Sequence, residues 1–173
     1  MRDIVAAIVA LALTFVALGL LTTLQAYRRQ LARRRASERA LGRTIIAELP
    51  TAAELVLFSE DEVSFYYGER PIDKDLIRAV RVVINGSPIA AHVSARWPSE
   101  DAAHVTTLED RPEGIARDRW DVVIESEQGV MLIECGAIRE RVSQELARRV
   151  FDAVRRDLEQ GDRAAARSTT RSR

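Results

Sequence analysis

ELVLFSEDEVSFYYGERPIDKDLIRAVRVV, residues 54–83, decides how the body of this chain folds. Residues 54–58 (ELVLF) and 62–68 (EVSFYYG) flank Ser59-Glu60-Asp61, three polar residues of the kind that reverse a chain between paired strands. In the second run Val63, Phe65 and Tyr67 alternate with Ser64 and Tyr66, the period of two expected where one face of a sheet is buried. The stretch predicts strands, and the pattern continues beyond it.

Residues 76–84 and 88–97 read as two further strands joined by Asn85-Gly86, the strongest short hairpin signal a sequence offers. From 98 to 118 the chain turns polar and acidic, with a short strand expected at 103–108 and loop punctuation at Pro112 and Gly114. Residues 120–125 (WDVVIE) and 130–135 (VMLIEC) bracket Glu127-Gln128-Gly129, another hairpin. A helix follows over 138–160, because Val142, Leu146, Val150, Val154 and Leu158 recur every fourth residue while Ala147, Phe151 and Ala153 widen the stripe. Gly161 reads as its stop, and 161–173 as a disordered basic tail.

Upstream, residues 4–24 form an apolar run, IVAAIVALALTFVALGLLTTL. Twenty-one residues at about 1.5 Å each match a hydrocarbon core of roughly 30 Å, so the run predicts a transmembrane helix, with 1–27 as the anchor. A cleaved signal peptide competes, but the run exceeds the usual apolar region of such leaders and arginines crowd the positions after Leu24-Gln25-Ala26. Arg28, Arg29, Arg33, Arg34 and Arg35 form a collar on the C-terminal side. The positive-inside rule then predicts a single-pass inner-membrane protein, N-terminus out and C-terminal domain cytoplasmic, with membrane lipid as a partner of 4–24 and of the collar. Residues 28–50 read as a basic helical stalk: composition favours helix over 25–49, and Pro50 ends it.

Charge is unevenly spread. The chain is formally neutral, yet 28–43 carries a net +6, 162–173 a net +3 and 44–161 a net −9. An acidic body is a poor match to nucleic acid, so no nucleic-acid partner is expected. One cysteine, Cys135, excludes an intramolecular disulfide or a thiolate metal cluster, and its apolar neighbours mark it as a buried small hydrophobe.

The order of up to seven antiparallel strands and one long C-terminal amphipathic helix resembles the pleckstrin-homology-like domains of bacteria, over 51–160. The resemblance implies an antiparallel sheet or barrel of about seven strands, closed at one open end by the helix and used for binding. Headgroup-binding members rely on basic residues around the first hairpin. This chain has Glu60, Asp61 and Glu62 there, and three acids repel a phosphate. The binding role carries over and phosphoinositide recognition does not.

The rival is enzymatic. WDVVIESEQGVMLIECG, residues 120–136, resembles the core of PD-(D/E)xK nucleases, which implies Asp121 and Glu134 as the two carboxylates that hold Mg²⁺. The lysine that such sites place two residues after the second carboxylate is Gly136 here, and the only lysine, Lys74, lies far away in sequence. That departure predicts an inactive relative.

Other chemistry is thin. His92 and His104 belong to no spaced ligand motif, the glycines form no phosphate loop, and Glu60/Glu62 and Asp73/Asp75 read as solvated turn carboxylates. No cofactor is expected. The sequence therefore predicts a transmembrane helix plus a mainly β (α+β) domain, acting as a membrane-anchored cytoplasmic interaction module, a scaffold or accessory subunit whose protein partner the residues do not identify.

Overall fold

The computed structural model describes residues 2–51, 54–97, 119–137 and 140–171, with side chains from Leu11 to Ser168 except at 12, 14, 17, 24 and 27. The expected strand at 103–108, with His104, Pro112 and Gly114, lies outside the described residues. The chain divides into two compact units, 1–42 and 43–173.

The first unit is one helix, α1 (Arg2–Ala40). It closes on Leu41 and Gly42, whose amides return to the Ser37 and Arg39 carbonyls at 3.1 and 3.0 Å. Gly42 has φ +77°, the left-handed turn that ends helices on glycine. The arginine stretch is thus helical to Ala40 and no further: the helix expected to reach Leu49 stops early, because Thr44, Ile45 and Ile46 are β-branched and enter a strand instead.

The transmembrane anchor is overturned. Among the described residues no helix is long and apolar enough to cross a membrane. Among the side chains described on α1, Leu11, Leu13, Phe15, Val16, Leu18, Leu20 and Leu21 are exposed. Beyond them Thr22 and Thr23 return their hydroxyls to the Gly19 and Leu20 carbonyls at 2.8 and 2.9 Å, and the helix turns arginine-rich.

The second unit is α+β. Among the described residues eight strands follow in order, β1 (Thr44–Pro50), β2 (Leu55–Glu60), β3 (Ser64–Tyr67), β4 (Arg70–Asp73), β5 (Ile77–Ile84), β6 (Ser87–Val93), β7 (Arg119–Ser126) and β8 (Gly129–Ala137), and then α2 (Arg141–Arg171). They form two four-stranded antiparallel sheets, β1-β2-β3-β4 and β6-β5-β7-β8. This corrects the expected PH-like sheet or barrel of about seven strands. The additional strands are β1, hidden in the supposed stalk, and β4, a four-residue piece (RPID) whose Pro71 reads as loop in sequence but sits on a sheet edge, where a missing N–H is tolerated.

The turns are where residue chemistry puts them. Asn85 and Gly86 have φ of 52° and 84°, two positive values in succession, as the tight hairpin turn requires. At the first hairpin Asp61 accepts from the Val63 and Ser64 amides at 2.9 and 2.8 Å and from the Tyr66 hydroxyl at 2.7 Å. The Arg43 guanidinium stacks 3.5 Å over the same Tyr66 ring.

The core lies among the two sheets and α2. Leu49, Phe58 and Phe65 from the first sheet, Val80, Val122, Ile124 and Ile133 from the second, and Ala147, Val150, Val154 and Leu158 from α2 are fully buried in one cluster. Phe58 and Phe65 stack at 5.7 Å between centroids. The every-fourth-residue stripe of α2 is the buried face from Leu146 onward, whereas Val142, in its first turn, stands exposed.

Gly161 does not end α2, which continues to Arg171. A Cβ at Gly161 would meet the end of the Arg96 side chain, 2.9 Å from Nη2. Next to it Asp162 accepts from the Ser94 hydroxyl at 2.6 Å and the Ala95 amide at 2.9 Å, fastening the end of β6 to the helix. Burial is the largest influence on this carboxyl and works to raise it, but the Ser94 and Ala95 hydrogen bonds with the Arg96 charge outweigh it and hold Asp162 below its ordinary range.

A carboxylate pair bridged by an arginine

Asp121 on β7 and Glu134 on β8 are brought together as cross-strand partners. The pair continues the unbroken register that the Glu127-Gln128 turn sets from Ser126 and Gly129 outward, and only beyond it does the register shift: Trp120 faces Gly136, so Cys135 is the extra residue of a bulge. The register that the turn fixes therefore puts the two carboxylates opposite one another on one face of the hairpin.

Arg119 sits at the start of the same strand and spans them. Its Nε lies 2.7 Å from Asp121 Oδ1 and its Nη1 2.9 Å from Glu134 Oε1, with Nη2 donating to Asp121 Oδ2 at 3.3 Å. Asp121 is fully buried, Arg119 nearly so, and Glu134 about one-third exposed at the mouth of the group. A guanidinium between two carboxylates meets the electrostatic demand that a divalent ion meets in a two-carboxylate nuclease. Among the described residues no group of three or more His, Cys, Asp and Glu is arranged to hold a metal.

The position that a catalytic lysine would take is closed on two counts. Gly136 has φ +109°, which L side chains rarely adopt, and a Cβ on it would lie 2.5 Å from Ser143 Oγ and 3.3 Å from Ser143 Cβ on α2. The one lysine is committed elsewhere. Lys74 donates to Glu60 Oε2 at 2.9 Å and to the Asp61 carbonyl at 2.7 Å, lies 3.7 Å from Asp157 and rests 4.6 Å from the Phe65 ring centroid. It ties the first hairpin and the 3-10 turn Lys74–Leu76 to α2.

Two neighbours complete the group. Burial pushes the Cys135 thiol up to about 12, with the Asp121 charge acting in the same direction. Burial also raises the Tyr67 phenol, against the hydrogen bond it shares with the Glu134 backbone. Both are poor nucleophiles and poor bases at neutral pH. Cys135 is wholly buried, as its apolar neighbours predict.

The other residues that the sequence singles out do not converge here. Of the collar, Arg28, Arg29, Arg33 and Arg34 are exposed on α1 and Arg35 is half-buried. Glu60 and Asp61 serve Lys74 and the hairpin turn, while Glu62 and Asp75 are exposed. Sequence reasoning missed Arg119. Its signal was faint: a basic residue two positions before Asp121 on one strand shares that residue's face, but 25 arginines in the chain hide any one of them.

No family model, no curated protein and no solved structure matches the chain.

Proposed function

We propose that the β domain is a binding module, a scaffold or accessory subunit that acts by protein contact and not by catalysis. The observation that carries this reading is the Arg119 bridge, which neutralises the two carboxylates with an internal cation. In addition, the position that needs a lysine is a left-handed glycine pressed against Ser143. The net charge of −9 over 44–161 supports a protein partner over a nucleic acid.

The test is crosslinking of the full chain in cells, gentle extraction and mass spectrometry. A stoichiometric protein partner is the expected result; its absence counts against the reading. The enzymatic rival has its own arm: calorimetric titration with Mg²⁺ or Mn²⁺ shows no specific binding under the proposal, whereas binding that Glu134→Ala abolishes supports the nuclease.

A further inference from the structure

We draw no further inference here: the strongest candidate, the apolar surface that α1 exposes between Leu11 and Leu21, carries nothing because nothing in the structure shows what covers it.

Discussion

Introducing the lysine that a nuclease site calls for should destabilise this domain and not activate it. Gly136→Lys puts a Cβ at a φ of +109° and 2.5 Å from Ser143 Oγ. The backbone conformation alone costs a non-glycine residue about 1–3 kcal/mol, and forcing an atom into a filled contact costs a similar amount, about 1–3 kcal/mol. The two together predict a loss of roughly 2–6 kcal/mol against a total stability of about 5–15 kcal/mol for a domain of this size. Urea denaturation followed by circular dichroism reads that loss directly, as a lowered midpoint at unchanged slope. Gly136→Ala separates the contributions. In a Ser143→Gly background both close atoms on Ser143 are gone, so the cost of Gly136→Ala should fall by about 1–3 kcal/mol, leaving the backbone share. A Gly136→Lys protein as stable as the parent refutes the reasoning, and one that also cleaves DNA with Mg²⁺ revives the enzyme.

Four further outcomes follow from the same contacts. Arg119→Met leaves a fully buried Asp121 without its cation and should cost about 3–5 kcal/mol in urea unfolding; the double variant Arg119→Met/Asp121→Asn should recover part of that loss. Lys74→Arg should destabilise by about 1–3 kcal/mol, although it keeps the charge, because a planar fork cannot reproduce an ammonium bonded to Glu60 and to the Asp61 carbonyl; an unchanged urea midpoint would refute this. Asp162 has a lowered pKa in the fold, so its contribution is present above the ordinary value of 3.8 and is lost as pH falls through the lower folded value; thermal melts from pH 6 down to pH 2 should show Asp162→Asn with a flatter acid limb than the parent. Cys135 has the opposite sign: raised from 9.0 to about 12, it contributes stability that is full below pH 9 and is lost as pH rises toward 12. At pH 8 a thiol reagent should label Cys135 only once urea unfolds the protein, and rapid labelling of the native chain would contradict its burial.

Local chemistry was legible where it acts over a few residues. Asn85-Gly86 adopts the positive φ pair its composition requires, the Glu127-Gln128 turn joins β7 to β8, and α2 buries the face its period marked. What the sequence hid depends on distance. That β5 pairs with β7 as well as with β6 is set by contacts forty residues apart, such as Val80 with Ile124, which no local pattern encodes. Two glycines also exchanged the roles a local reading assigns them. Gly42, unremarked among arginines, ends α1, while Gly161, which looks like a stop, lies inside α2.

The same distinction explains why the candidate site was half visible. Two acids on two strands of one hairpin are readable, since spacing and turn fix both their separation and their pairing; the bulge at Cys135, beside Gly136 with its φ of +109°, begins only beyond them. What the local pattern hides is the arginine between the carboxylates, which answers their charge. The glycine that departs from the motif leaves the register of the carboxylates untouched: with φ +109° and Ser143 Oγ 2.5 Å from where its Cβ would be, it excludes the side chain that the motif asks for, and Arg119 supplies the cation in its place.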